Sequence, residues 1–270
     1  NLEPCSHYGK TPPCADLIIQ KKFSRVVIGT MDPNPVVAGK GIQKLESAGI
    51  EVVTDICAEE SKWLNRIFLK HITVQKPYIM LKIAQSIDGC IALKNGESKW
   101  ITSEESRIIT HKLRCEFDAV LIGKNTAKKD NPLLTVRSVK GRNPMRVVCD
   151  SELSLPLDLS LFKLKDQQRT IVCCSENAAK SRKARNLGLS GINVLTVKTN
   201  ESGSMDLDDL TNSLYEHFDI KSIMVEGGSG IYSSFVMSGL VDEIQVFIAP
   251  KILGQCKNSF DQIVINKMSA

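Results

Sequence analysis

Three observations predict an α/β protein built from two domains. Short segments rich in Val, Ile and Leu alternate with helical patterns along the chain. Periodicity lapses from His71 to Pro77 and ends on a proline, which sets a boundary near Gln75 between residues 1–75 and 76–270. A chain of 270 residues with 42% hydrophobic content has the size and balance of one large or two ordinary globular domains.

In the first part, Arg25 to Gly29 reads as a short strand and Gly39 to Ala48 as an amphipathic helix that stops at Gly49, a residue suited to a helix end. Ile50 to Thr54 is the next strand and Glu59 to Leu69 another helix. The second part opens with the apolar strand Tyr78 to Ala84, breaks at Ser86 to Gly89, resumes briefly, and turns through Asn95 and Gly96 into a polar patch ending at Trp100. Thr102-Ser-Glu-Glu105 matches a capping box and starts a helix running to about Arg114. After strand Ala119 to Gly123, the segment Lys124 to Arg137 is polar and turn-rich, and Val139 to Pro144 is a loop before strand Arg146 to Cys149. Strands at Thr170 to Cys174, Asn193 to Val197, Ser222 to Val225 and Glu243 to Ala249 then alternate with helices at Asn177 to Leu187, Leu207 to Phe218 and Gly230 to Met237.

No apolar run approaches the roughly 18 residues of a membrane span, so a membrane role is not expected. A net charge of +5 from scattered Lys and Arg permits an anionic small-molecule substrate, and with 5% aromatics no nucleic-acid stacking platform is expected. Cys90, Cys149, Cys173 and Cys174 lie in strand-like segments and read as small buried hydrophobes, which favours a reducing compartment.

Four features carry chemistry. Lys82 sits inside an apolar strand, where an ammonium must snorkel to water or face a ligand. Cys5 and Cys14 share a loop rich in turn formers and are either half of a tetrahedral zinc site or unpaired loop thiols, with His7 between them as a further candidate ligand. Val225-Glu-Gly-Gly-Ser-Gly230 joins a strand to a helix through glycines; such a turn can cradle a phosphate or simply make a tight corner, and it does not match the dinucleotide fingerprint. Arg114, Arg137, Asp130, Ser98 and Trp100 form a constellation suited to a phosphorylated ring compound or to a solvated surface.

The segments LEPCSHYGKTPPCADLI, DPNPVVAGKGIQKLESAGIEV, LKIAQSIDG, GESKWIT, DNPLLTVR, PMRVVCDS, MVEGGSGIYSSF and VDEIQVFIAPKILG, in that order, resemble the bifunctional riboflavin-biosynthesis deaminase/reductase family over nearly the whole chain. The resemblance implies part of a zinc cytidine-deaminase-like domain followed by a dihydrofolate-reductase-like domain. The first would hydrolyse the amino group of a diaminohydroxyphosphoribosylaminopyrimidine; the second would reduce the ribosyl group of the deaminated product to ribityl with NADPH. By motif, Cys5 and Cys14 correspond to zinc-ligand cysteines, and His7 and Lys10 to the loop approaching the deaminase substrate. The family's remaining zinc ligand and catalytic glutamate belong to a His-Ala-Glu motif expected upstream of Asn1, so this chain is not expected to deaminate, and the family's last reductase strands are expected beyond Gly254.

For the reductase, the resemblance implies that Ser98, Arg114, Leu134, Arg137 and Glu226 surround the substrate. Ala84, Trp100, Thr126, Asp130, Ser151 and the turn Gly228, Ser229, Gly230, Ile231, Tyr232, Ser233 and Ser234 would line the NADPH site, and Lys82 is a candidate for holding or polarising the sugar. A homo-oligomer in the cytoplasm, or in an organellar stroma, acting on small phosphoribosylaminopyrimidines is expected. The rivals are a reductase of the same fold acting on a pterin and a decayed protein that keeps zinc and nucleotide binding without turnover.

Overall fold

The computed structural model describes residues 1–201 and 203–267 and separates into two compact units, Asn1–Lys76 and Pro77–Ala270. In the first unit the order is α1 (Cys14–Gln20), β1 (Arg25–Val27), α2 (Lys40–Ser47), β2 (Glu51–Val53), α3 (Ala58–Leu64) and α4 (Arg66–Val74). Strands β1 and β2 pair in parallel, and Ala15, Leu45 and Ile50 form a small core with Ile18, Ile19, Val26 and Val52 against it. Helix α2 starts at Gly39 without a side-chain cap of its own. The buried Glu3 carboxylate does that work from far away in sequence, accepting N–H bonds from Gly39 at 3.0 Å and Gly41 at 2.9 Å. The helix expected over Glu59 to Leu69 is two helices, because Asn65 leaves the helical register and its side-chain amide donates to the Ser61 carbonyl at 2.7 Å. Helix α4 runs through the stretch expected to be irregular and stops at Gln75, which is left-handed at φ +56°.

The second unit runs β3 (Tyr78–Ser86), β4 (Cys90–Leu93), α5 (Glu104–Glu116), β5 (Ala119–Gly123), α6 (Lys124–Asp130), β6 (Met145–Cys149), β7 (Thr170–Cys174), α7 (Glu176–Ala179), α8 (Arg182–Leu189), β8 (Asn193–Thr196), α9 (Leu207–Phe218), β9 (Ser222–Gly227), α10 (Ser229–Met237), β10 (Glu243–Ala249) and β11 (Cys256–Asn258). Seven strands form one parallel sheet in the order β10-β3-β9-β5-β6-β7-β8, and β4 and β11 make a separate antiparallel pair. The inner strands β5, β7 and β9 are nearly continuous runs of buried residues, as parallel strands covered on both faces must be. Ile79, Leu81, Leu121, Val147, Ile171 and Val225 of the sheet pack with Leu210, Leu214 and Phe235 of α9 and α10.

Four expectations change here. Helix α5 is capped by Ser103, whose hydroxyl accepts the Ser106 N–H at 3.4 Å, so the cap falls one residue after Thr102 and the helix continues to Glu116. The segment expected to be turn-rich contains α6, a one-face-polar helix whose buried position is Ala127 and which closes on left-handed Asn131. The helix expected over Asn177 to Leu187 is divided at Ser181, where a second serine cap starts α8 with an Ala184 N–H bond at 3.2 Å. Cys90 is not a lone buried hydrophobe: it is disulfide-bonded to Cys256, tying β4 to β11. Cys149, Cys173 and Cys174 remain free thiols, and burial pushes Cys149 up to about 12 and Cys174 up to about 11.

Candidate active site

In a parallel sheet the strands all end on the same side, and their carboxyl ends form the natural place for a ligand. Here β5 ends at Gly123 and opens directly into α6, β6 ends at Cys149 before Ser151, β7 ends before Ser175, and β9 ends at Gly227 before Gly228 and α10. Together with the β4 hairpin these ends enclose a cavity of about 780 Å³, lined among others by Ser98, Gly123, Thr126, Asp130, Ser151, Asn177 and the turn Gly228 to Ile231 with Ser234. Gly227 holds φ +144°, a conformation that L side chains rarely adopt. A Cβ on Gly228 would meet the Thr126 hydroxyl at 3.1 Å, so the backbone of this turn lies open to the cavity for lack of a side chain. Helix α10 has no side-chain N-cap bond at Gly228, and the positive end of its dipole faces the same space.

Beside this turn lies a cluster of charge. Strands β5 and β9 pair Leu121 with Val225 but Ile122 with Gly227, so Glu226 is the extra residue of a β-bulge. Its carboxylate accepts two bonds from Arg114, from Nε at 2.6 Å and Nη2 at 2.7 Å, with both side chains 9% exposed. Arg114 spends a third donor, Nη1, on the Thr135 carbonyl at 2.9 Å. Burial opposes the charge on both partners, but their mutual attraction wins: the Glu226 carboxyl is held below its ordinary value and the Arg114 guanidinium above its own. Burial pulls the Lys82 ammonium down, partly offset by Glu226. Its Nζ lies 5.7 Å from the Phe247 ring, and its carbonyl accepts the Tyr232 hydroxyl at 2.6 Å. Burial and then Arg114 likewise lower His111, whose Nδ1 is buried with no hydrogen-bond partner among the described residues.

The expected site residues divide among several places. Ser98, Thr126, Asp130, Ser151, Gly228, Ser229, Gly230, Ile231 and Ser234 line the cavity. Tyr232 and Ser233, on the opposite side of the same helical turn, are buried. Lys82 and Ala84 are half-buried on β3. Leu134 is buried at φ +54°, and Arg137 is exposed, with no hydrogen bond or ion pair among the described residues. Trp100 is 60% exposed and stacks under Arg107 at 4.4 Å. In the first unit His7 and Lys10 are exposed on the loop between Cys5 and Cys14, and Cys14 opens α1 with its N–H donating to Cys5 Sγ at 3.3 Å.

Sequence reasoning missed Lys124, Asn177, Lys257 and Gln262, which also line the cavity. The first two follow strand ends, and the rule for parallel sheets points to them once strand order is known. Lys257 and Gln262 come from a segment without periodicity and carry no such signal. The cavity, the bare glycine turn and the open helix N-terminus fit a dinucleotide with its phosphates at α10. The two sulfurs of Cys5 and Cys14 do not by themselves fit a zinc ion, which takes four ligands, and no group of three or more His, Cys, Asp or Glu side chains is placed for a metal among the described residues.

Comparison with known proteins gives a consistent result. A family profile described as the RibD C-terminal domain matches residues 77–269. The riboflavin biosynthesis protein RibD of Aquifex aeolicus is 45% identical over 255 residues, a match that covers 94% of this chain and 69% of that protein. Among solved structures, Acinetobacter baumannii RibD superposes with a TM-score of 0.82 at 34% identity, covering all 100% of this chain and 73% of that one. The diaminohydroxyphosphoribosylaminopyrimidine deaminase/5-amino-6-(5-phosphoribosylamino)uracil reductase of Thermotoga maritima gives 0.81 at 38% identity, covering 100% and 72%.

Proposed function

The chain belongs to the RibD family of riboflavin-biosynthesis proteins and carries its reductase domain, and on that premise we propose that it reduces the ribosyl group of 5-amino-6-(5-phosphoribosylamino)uracil to ribityl with NADPH. The observation that carries the proposal is the buried Arg114–Glu226 pair on a β-bulge, immediately before the glycine turn that lines the cleft, with Lys82 on the neighbouring strand.

Each residue has a part that follows from its surroundings. Arg114 commits three donors to Glu226 and Thr135, so it orients the carboxylate and the Leu134 to Arg137 loop and leaves the substrate phosphate to Arg137, whose exposed guanidinium is uncommitted. Glu226, kept ionised by Arg114, accepts hydroxyl or ring N–H groups of the substrate, with Ser98 and Leu134 completing the enclosure. Lys82, pulled toward its neutral form by burial yet drawn back by Glu226, holds or hands over a proton at the sugar as its ring opens to an imine-like form. Thr126, Asp130, Ser151 and the amides from Gly228 to Ile231 hold the dinucleotide, with Ala84 and Trp100 as further contacts and Tyr232 to Ser234 fixing the helix. NADPH, when bound, supplies the hydride for the anomeric carbon. In the first unit Cys5 and Cys14 are two sulfurs, short of a four-ligand zinc set, with His7 and Lys10 exposed on the loop between them. No deamination step is derived from the residues present, because the described residues offer no third ligand grouped with these sulfurs.

The test is NADPH oxidation, followed by absorbance, with the deaminated phosphoribosylaminouracil as substrate. The expected outcome is turnover that depends on the substrate phosphate, with KM raised about 10- to 100-fold in Arg137→Ala, the size of a lost hydrogen-bonded charge. Turnover of a dihydropterin in its place, or binding of NADPH without consumption, would sink the assignment.

A further inference from the structure

We propose that residues Cys256 to Gln262 are a disulfide-locked strap that parks the Asp261 carboxylate at the N-terminus of α10, where it competes with an anionic ligand of the cleft, and that reduction of the Cys90–Cys256 bond releases it. The proposal rests on the dinucleotide assignment of the cleft.

The strap follows the end of β10 and lies outside the parallel sheet. It is anchored first at Asp88, whose carboxylate accepts the N–H of Gly254 at 2.8 Å and of Leu253 at 3.1 Å. Next comes β11, three residues paired with β4 and irregular between Lys257 and Asn258. A pairing of that length is marginal without further support, and the Cys90–Cys256 bond provides it. Beyond β11 the strap crosses toward the cleft: Ser259 donates to Gln85 Oε1 at 2.7 Å, and Phe260 tilts against Tyr232 at 6.3 Å. Ser229, the first residue of α10, donates its hydroxyl to Asp261 Oδ2 at 3.0 Å. Gln262 reaches to 3.4 Å of where a Cβ on Gly230 would stand, and both Lys257 and Gln262 face the cavity.

The consequence is electrostatic. A helix N-terminus with unfilled amides attracts negative charge, and Asp261, held by the Ser229 hydroxyl, brings a carboxylate beside that first turn. A phosphate arriving there must displace Asp261 or meet a like charge. Cys256 and Asp261 are only five positions apart in the chain, so fixing the first limits how far the second can withdraw. Breaking the bond leaves the three-residue β4–β11 pairing, the exposed Ser229–Asp261 and part-buried Ser259–Gln85 hydrogen bonds and the Phe260 contact to hold the strap. The chemistry is ordinary exchange with a dithiol reductant. Its thiolate attacks the Cys256 sulfur, which is more accessible than buried Cys90; the Cys90 thiolate leaves and takes up a proton, and the reductant's second thiol then displaces Cys256 as its own disulfide closes. The protein gains two electrons and two protons, and the reductant loses them.

The experiment titrates NADPH by its fluorescence against the oxidised and the dithiothreitol-treated chain, with thiol alkylation and mass measurement to confirm each state. The expected result is binding about two- to fivefold tighter after reduction, the range of one charge at a helix terminus. Oxidised Asp261→Asn should bind as the reduced protein does, and Cys90→Ser should bind tightly and ignore the reductant. Equal affinity of the two redox states overturns the proposal. Should NADPH bind neither state, the dinucleotide assignment fails, and deuterium uptake decides the strap by itself: amides of Ser229 to Ile231 and of the strap must exchange faster on reduction, and unchanged uptake overturns it.

Discussion

A buried arginine or glutamate is tolerable only as half of a pair, and Arg114 and Glu226 show what that requires. Two parallel N–H bonds satisfy the carboxylate, and the remaining Arg114 donor that makes a contact reaches the Thr135 carbonyl. Removing one partner leaves the other charge stranded, so Glu226→Ala is expected to cost about 3–5 kcal/mol of stability in addition to activity, measurable by urea unfolding. The paired Arg114→Met, Glu226→Leu double substitution should recover much of the stability and none of the turnover, which separates folding from function. The pH response has a definite sign. The folded Glu226 carboxyl sits below its unfolded value, near 4.3 for a free glutamate, so its contribution to stability is complete above that value. It is lost as pH falls toward the depressed value of the folded state. An acid limb of the unfolding free energy that is absent in the double variant is the expected observation.

Helix α5 brings Arg114 to the site, and its position depends on how it starts and where it ends. Ser103 caps the first turn, Glu104 and Glu105 suit the positive end of the dipole, and Leu113 and Phe117 are buried near the last turn. Ser103→Ala is expected to cost about 1 kcal/mol, read as a shift in denaturation midpoint, whereas Thr102→Ala should be close to neutral because its side chain takes no part in the cap. Much of this element was legible in the residues: the T/S-S-E-E pattern announces a helix start to within one position. Helix α6 was not legible, since KNTAKKD carries one small apolar residue and no stripe; it forms because Gly123 ends a buried strand and Ala127 fits against the sheet with 0% exposure. The β-bulge at Glu226 is equally silent in sequence, because strand register exists only once β5 and β9 lie side by side.

On the scale of the whole chain, the two compact units each contain a core, a small one around Leu45 and a large one between α9, α10 and one face of the sheet. Differential scanning calorimetry should therefore resolve two unfolding transitions of unequal enthalpy, the larger from the second unit, and Glu226→Ala should move the larger alone. A single two-state transition would contradict independent cores.

From the sequence alone came the α/β class, the order of most strands and the helices α2, α9 and α10, because apolar periodicity and glycine or proline punctuation are local properties that survive in one dimension. The likeness of its motifs to the riboflavin deaminase/reductase family was legible there too, and the family comparisons agree with it. Tertiary structure decided three other things: that Arg114 is committed to Glu226; that Cys90 meets Cys256 across a separation of 166 residues; and that the segment around Asp261 reaches the first residue of α10. Each of these joins residues far apart in the chain, and such contacts depend on strand order and register, which side-chain pattern does not encode.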